Sequence, residues 1–102
     1  MIRRVRFTPA ARAQFLAALA FIRADRPSAA LAFRRRVNET LARLVDFPES
    51  GRIVPELGEL HFREVIIDSH RFFYRAKGDT VWVVATWHDA QIPDEPPEPG
   101  GG

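Results

Sequence analysis

The C-terminal half of the chain holds three consecutive segments dense in β-branched and aromatic residues, at roughly 60–67, 70–76 and 80–88. Only the Asp-Ser pair at 68–69 separates the first two, and only Lys-Gly-Asp at 77–79 separates the last two. Val, Ile, Phe, Tyr and Trp favour strands over helices. Because connections this short can join only antiparallel neighbours, the pattern predicts three antiparallel strands in succession.

The N-terminal half predicts one short strand followed by two helices. Residues 2–7 alternate loosely between apolar and basic side chains, as in a strand. Thr8 is a suitable helix N-cap, and Pro9 suits the first helical position, where its missing N–H has no consequence. Apolar residues then recur at helical spacing over 9–25, and again over 28–47 with Ser as the predicted cap. A proline at the corner between these segments predicts a helical hairpin.

The predicted order is therefore strand, helix, helix, strand, strand, strand. This order indicates an α+β fold in which a helical hairpin packs on one face of a mainly antiparallel four-stranded sheet. The opposite face of the sheet is expected to stay open unless a partner covers it. A length of 102 residues fits one domain, at 1–92, and the Pro/Gly/acidic segment 93–102 is predicted to be a disordered tail.

Residue usage excludes several kinds of chemistry. The chain has no cysteine, which rules out disulfides and cysteine zinc sites. Its three histidines form no tight motif, so no metal site is expected, and without a Gly-rich phosphate loop we expect no cofactor. No apolar run approaches the length of a signal peptide core or a membrane span. We therefore expect a cytoplasmic protein without a membrane association.

The basic residues are almost all arginine. Lys77 is the only lysine, so arginine supplies 14 of the 15 basic residues, all before residue 94. The tail carries Asp94, Glu95 and Glu98, which leaves the body at +5 and the tail at −3. Arginine makes planar bidentate contacts with phosphate and carboxylate, so the body suits nucleic acid or an acidic protein segment. A GC-rich genome would produce the same bias without any such partner.

The element order, with a Gly-Arg-x-x-Pro-Glu loop before an arginine-bearing strand, resembles the RelE/ParE toxin superfamily over about residues 2–90. The residues that carry the resemblance are Pro48, Gly51-Arg52, Pro55-Glu56, Phe62-Arg63-Glu64-Val65, His70-Arg71-Phe72-Phe73-Tyr74-Arg75 and Trp87-His88. The resemblance implies the growth-inhibiting toxin of a type II toxin–antitoxin system, of the kind that stabilises plasmids. It also implies a cognate antitoxin protein as the partner that neutralises the toxin.

The superfamily divides by target. ParE-like members poison DNA gyrase by binding it, whereas RelE-like members are endoribonucleases that cut mRNA on the ribosome. The loop beginning at Gly51-Arg52 and the His70-Arg71 start of the middle strand look more ParE-like. For a gyrase-binding protein, the helical hairpin around 34–36 and the loop 48–59 are the two candidate contact surfaces.

An RNA-cleaving enzyme needs a base for the 2′-hydroxyl, a cation on the phosphate and an acid for the leaving oxygen. By the resemblance, Arg63 is the candidate phosphate ligand, and His61, Tyr74 and His88 are candidates for proton transfer. Residues 89–91 are Asp-Ala-Gln where many family members carry arginine. An acidic side chain beside a phosphate would repel it, so we favour the binding protein over the nuclease.

Each candidate also has a purely structural interpretation. Arg63 would pair with a glutamate next to it on the sheet, such as Glu64, and His88 would be a hydrogen-bonded structural histidine. Tyr74 would be half-buried, with its hydroxyl at the rim. Trp82 and Trp87 are five residues apart, so a regular strand would place them on opposite faces.

Arginines from both halves of the chain are candidates for partner binding, although the sequence leaves open which of those on strands share a face. The predicted set is Arg34, Arg35, Arg36, Arg52, Arg63, Arg71 and Arg75.

Overall fold

The computed structural model describes residues 1–54 and 61–88. The elements are β1 (Arg4–Phe7), α1 (Pro9–Asp25), α2 (Pro27–Asp46), β2 (Arg52–Ile53), β3 (Arg63–Ile67), β4 (His70–Lys77) and β5 (Thr80–His88). The predicted α+β class and the order of helices and long strands are confirmed, and the sheet gains one short strand, β2. The predicted tail 93–102 lies outside the described residues, as do Pro55 and Glu56.

The five strands form one sheet in the order β1-β5-β4-β3-β2. Antiparallel pairing joins β2, β3, β4 and β5 in sequence, as expected for hairpins. β1 instead pairs with β5 in parallel, with Val5 opposite Val81. A parallel pair needs a long crossover connection, and here the helical hairpin lies within that connection.

The two helices follow each other with a single residue between them. α1 begins as predicted: Pro9 takes the first helical position, and the Thr8 side chain accepts a hydrogen bond of 3.2 Å from the Ala11 N–H. α2 begins at Pro27, and its N-cap is Arg26, two residues before the predicted cap and without a side-chain hydrogen bond. The expectation that Ser28 caps α2 was wrong, because the fixed φ of proline already suits the first helical position.

The core lies between the helical hairpin and one face of the sheet. α2 contributes a stripe of buried side chains that includes Phe33, Val37 and Leu44. The sheet contributes side chains such as Phe72 and Val83, whose exposed fractions are 0%. Most of the apolar surface that stabilises the fold is therefore buried on this one side of the sheet.

A β-bulge interrupts the pairing of β4 with β5. Phe73 lies opposite Ala85, but the next residue, Tyr74, lies opposite Val83, so Val84 is an extra residue on β5. The bulge reverses the alternation of side chains along β5 beyond this point. Trp82 and Trp87, paired with Arg75 and Arg71, therefore lie on the same face of the sheet, the one away from the helices. The expectation that the two tryptophans face opposite sides was wrong because it assumed a regular strand.

Replacing Phe33 with alanine tests the position of the core. The side chain is 1% exposed and packs against Phe15 and Phe72. The cavity left by its removal should lower the free energy of unfolding by about 3–5 kcal/mol, as measured by urea denaturation. Phe21→Ala is the matched control, because Phe21 lies on the neighbouring helix and is 80% exposed. Its effect should stay within about 0.5 kcal/mol, and equal losses from the two changes would contradict this core.

Candidate partner-binding surface

We call the face of the sheet that points away from the helices the open face. Strand register places six basic side chains on it, and these are Arg4, Arg6, Arg52, Arg71, Arg75 and Lys77. Five of them are exposed, and Arg71 is partly buried. Of the predicted strand arginines, Arg71 and Arg75 thus share this face, whereas Arg63 lies on the other face with Tyr74.

A buried carboxylate occupies the centre of the basic cluster on the open face. Glu64 is 2% exposed, and its carboxylate accepts hydrogen bonds from Arg52 at 2.6 and 3.0 Å and another from Arg71. Neighbouring residues on a strand point to opposite faces, so Arg63 does not reach this carboxylate. The interpretation that Arg63 pairs with Glu64 was therefore wrong. The ion pairs join three strands, since the partners of Glu64 lie on β2 and β4.

Two opposing influences set the pKa of Glu64. Burial, the largest single influence, raises the pKa by disfavouring the charged form. Hydrogen bonds and charge from Arg71 and Arg52 together outweigh burial, so the pKa lies below the ordinary value of 4.5. The carboxylate is therefore ionised at neutral pH, and the cluster of one carboxylate and two guanidinium groups keeps a net positive charge.

Aromatic rings lie among the cations of the open face. The Arg71 guanidinium lies 4.9 Å from the centre of the Phe73 ring, and that ring meets Trp87 edge-on at 5.0 Å. The Arg75 guanidinium lies 5.5 Å from the centre of the Phe62 ring. These cation–π contacts hold two of the arginines against the surface and reduce their freedom before any partner binds.

Tyr74 and Arg63, two of the candidates for nuclease chemistry, hold the loop between α2 and β2. The Tyr74 hydroxyl donates to the Pro48 carbonyl at 2.8 Å and accepts from the Gly51 N–H at 2.9 Å. Arg63 Nη1 donates to the carbonyls of Glu49 and Gly51, at 3.2 and 2.9 Å. Tyr74 is only 1% exposed, so the expected half-buried ring with a hydroxyl at the rim was wrong. Its pKa is raised, mainly by burial.

Gly51 is required where the loop crosses Tyr74. A Cβ at this position would lie 2.3 Å from the Tyr74 hydroxyl oxygen and 2.8 Å from the Glu64 carbonyl oxygen. Both distances are shorter than van der Waals contact allows. The Gly-Arg pair of the sequence motif therefore has two structural roles: the glycine permits this close approach, and Arg52 then reaches the Glu64 carboxylate.

The two histidines of the sheet lie at the far end of β4 and β5. His70 and His88 are paired across the strands, and their ring centres are 4.9 Å apart. His70 is 8% exposed, and burial, followed by the charge of His88, lowers its pKa. Tyr74 lies four positions after His70 on β4, which is about 13 Å at about 3.3 Å per residue. The structure therefore does not bring His88 together with Arg63 and Tyr74, and His61 lies exposed ahead of β3.

A groove of about 550 Å³ lies between α1 and the ends of β4 and β5. Its lining includes Phe21, His70, Thr86 and Gln14, whose side-chain oxygen accepts a hydrogen bond of 2.8 Å from the Thr86 N–H. Two buried polar atoms here, His70 Nδ1 and Thr86 Oγ1, have no hydrogen-bond partner in the part of the chain that the structure describes. Buried polar atoms are normally paired, so these two atoms are exceptions among the described residues.

The three helix arginines have different surroundings. Arg36 makes a bidentate ion pair with Asp68 at the β3–β4 turn, with distances of 2.6 to 3.2 Å. This hydrogen bonding is the main reason that the pKa of Arg36 is raised. Arg34 and Arg35 are exposed on α2 and form no ion pair with any described residue. The seven predicted arginines therefore divide between the open face, the loop support and the outer side of α2.

Sequence reasoning missed part of the open face. Arg4 and Arg6 were read only as elements of a strand, although their spacing of two already places them on one face. That this is the open face follows from the pairing of Arg6 with Trp82.

Residues 1–54 and 61–88 contain no group of three or more histidine or carboxylate side chains that could hold a metal ion. None of the described helices is long and apolar enough to cross a membrane.

The chain is similar to a solved structure titled "Chromosomal ParDE TA system from P. aeruginosa", with a TM-score of 0.66 and 20% identity over 86% of this chain and 96% of that one. That likeness concerns the fold alone. A family model described as the ParE toxin of the type II toxin-antitoxin system parDE matches residues 5–93. The chain therefore belongs to the ParE toxin family. No curated protein matches it.

Glu64→Gln tests the ion-pair cluster through its dependence on pH. The change should lower the free energy of unfolding at pH 7 by about 2–3 kcal/mol, because two guanidinium groups lose their counter-charge. The folded pKa of Glu64 lies below the unfolded one, so its stabilisation exists above the unfolded value and is lost as pH falls through the folded value. Denaturation curves of the two proteins should therefore converge below pH 4.5.

The matched control for this change is Glu39→Gln. Glu39 is exposed on α2, so its neutralisation should alter stability by less than about 0.5 kcal/mol at pH 7. A constant difference between the wild type and Glu64→Gln from neutral to acid pH would show that the carboxylate charge is not the stabilising feature.

Proposed function

We propose that this ParE-family toxin inhibits DNA gyrase in the cytoplasm and does so by binding rather than by catalysis. The match of the ParE toxin family model to residues 5–93 is the observation that carries the proposal. The same match makes an antitoxin the expected partner.

The arrangement of the candidate nuclease residues supports binding over RNA cleavage. Tyr74 already donates one hydrogen bond and accepts another inside the protein, and Arg63 is bound to two loop carbonyls. Both would have to leave these partners in order to act on a phosphate. His88, another candidate for moving a proton, lies at the other end of β4 and β5.

The outer side of α2 is the surface we assign to gyrase. Arg34 and Arg35 are adjacent, exposed and without ion-pair partners among the described residues, so both guanidinium groups can contact a target. Arg36, the third arginine of the run, is held by Asp68 and braces the helix against the sheet instead.

The double change Arg34→Ala/Arg35→Ala tests this assignment in gyrase supercoiling and gyrase-mediated DNA-cleavage assays with purified proteins. Loss of two charged contacts should weaken inhibition at least about tenfold. The matched control is Arg12→Ala/Arg23→Ala, which removes two exposed arginines from α1 and should change inhibition by less than about twofold.

A pulse of expression in bacteria distinguishes the targets. If DNA synthesis stops before protein synthesis, gyrase is supported as the target. Protein synthesis stopping first would indicate the RelE-like alternative, an mRNA-cleaving enzyme on the ribosome. Wild-type protein that stays toxic yet leaves purified gyrase unaffected would rule out the gyrase proposal.

The groove beside α1 is the surface we assign to the antitoxin. Its wall includes Phe21, which is 80% exposed, together with Ala17, Ala18 and Trp87. An amphipathic antitoxin segment would cover the Phe21 ring and this apolar wall, which is the way apolar grooves receive helices and strands.

Phe21→Asp should abolish protection by the antitoxin while leaving toxicity unchanged. A carboxylate in an apolar contact is costly to bury, so we expect binding to weaken at least about a hundredfold in titration calorimetry. Leu31→Asp on α2 is the matched control, because Leu31 is 66% exposed and lies outside the groove. Equal loss of antitoxin binding in both variants would place the antitoxin elsewhere.

A further inference from the structure

We propose that the open face binds single-stranded nucleic acid, with arginines contacting phosphates and tryptophan rings stacking on bases. This activity is separate from gyrase inhibition, which we assign to α2, and from antitoxin binding, which we assign to the groove beside α1. The proposal rests on how strand register arranges cations and rings on one surface.

The open face is strongly basic. Its six basic side chains face only two described acidic ones, Glu64 and Asp79. Glu64 is buried and compensated by two arginines, and Asp79 lies 3.7 Å from Arg4. A polyanion approaching this surface therefore meets exposed guanidinium groups and no uncompensated carboxylate among the described residues. Release of counterions from phosphates would drive such binding.

Rings and cations alternate across the strands. Arg6 on β1, Trp82 on β5 and Arg75 on β4 lie side by side in register, so an arginine flanks Trp82 on each side. Neighbouring strands are about 4.8 Å apart, which brings the three side chains within reach of one nucleotide and its phosphates. Trp87 has one arginine neighbour, Arg71, which is partly buried and bonded to Glu64. A base can stack on each ring while its phosphates lie against the flanking arginines.

The bulge at Val84 creates this arrangement. Without the extra residue, the two tryptophans would lie on opposite sides of β5, and one would enter the core. With it, both tryptophans of the chain lie on the face that carries the six basic side chains.

Unpaired bases fit this surface better than a duplex or an acidic peptide. Stacking requires a base whose flat face is free, and in a duplex those faces are covered by neighbouring bases. An acidic peptide would satisfy the arginines but has no flat ring for Trp82 to stack on.

The test measures binding of labelled single-stranded DNA and RNA of about 12 nucleotides to the full chain, by fluorescence anisotropy at low salt. Quenching of tryptophan fluorescence locates the contact, because both tryptophans lie on the open face. Arg6→Ala/Arg75→Ala should weaken binding at least about tenfold and make it less sensitive to salt. Trp82→Leu should weaken it about fivefold or more.

Two controls accompany these variants. Arg12→Ala/Arg23→Ala removes the same charge from α1 and should change affinity by less than about twofold. A polyglutamate peptide of matched charge should bind more weakly than either oligonucleotide and leave tryptophan fluorescence unchanged. Circular dichroism of each variant establishes that the fold is retained.

Binding of DNA or of RNA with these effects supports the proposal, and the tighter of the two identifies the ligand. The proposal is overturned if neither binds or tryptophan fluorescence does not change. It is also overturned if a duplex or the polyglutamate peptide binds as tightly as the single strands, or if the α1 variant loses as much affinity as the sheet variant. None of these results bears on gyrase inhibition, which is measured separately.

Discussion

The ion pairs of the Glu64 carboxylate with Arg52 and Arg71 are the interaction on which the open face of the sheet depends. It joins β2, β3 and β4 on a face that has no helix to cover it. A buried carboxylate without these partners would be destabilising, and the two guanidinium groups without it would repel each other. The ion pairs hold the three strands together. Because one carboxylate neutralises only one of the two guanidinium charges, the surface remains positive.

On the other side of β3, the Tyr74 hydroxyl and the Arg63 guanidinium hold the loop that leads into β2. Gly51 allows the loop to lie directly on the tyrosine ring. The Gly-Arg motif therefore contributes to the contacts on both faces of the sheet. Gly51 contacts Tyr74 on the helix-facing side, and Arg52 binds Glu64 on the open face. Arg63 and Tyr74, which resemble nuclease residues in sequence, therefore position β2 in this structure. The exposed surfaces of α2, of the groove and of the open face then remain available for partners.

Much of the site could not be predicted because side-chain direction in a strand depends on register. The sequence indicated that Arg63, Arg71 and Arg75 lie on strands but did not show which of them share a face. A single extra residue, Val84, decided that both tryptophans lie together with Arg71 and Arg75. Nothing in the local sequence marks this bulge, because Val84 is as good a strand former as its neighbours. The burial of Glu64 could not be predicted either, because it depends on ion pairs with Arg52 and Arg71 on two other strands.

The element order, the start of α1 at Thr8-Pro9, the antiparallel hairpins and the resemblance to the RelE/ParE toxins could all be predicted from the sequence. These features depend on local chemistry: capping groups, proline geometry, short turns and apolar periodicity act within a few residues. The parallel pairing of β1 with β5, the partners of Glu64 and the composition of the open face became apparent only in the folded protein. Those features depend on contacts between residues far apart in the chain, and hydrophobic packing of the helices on one face fixes them.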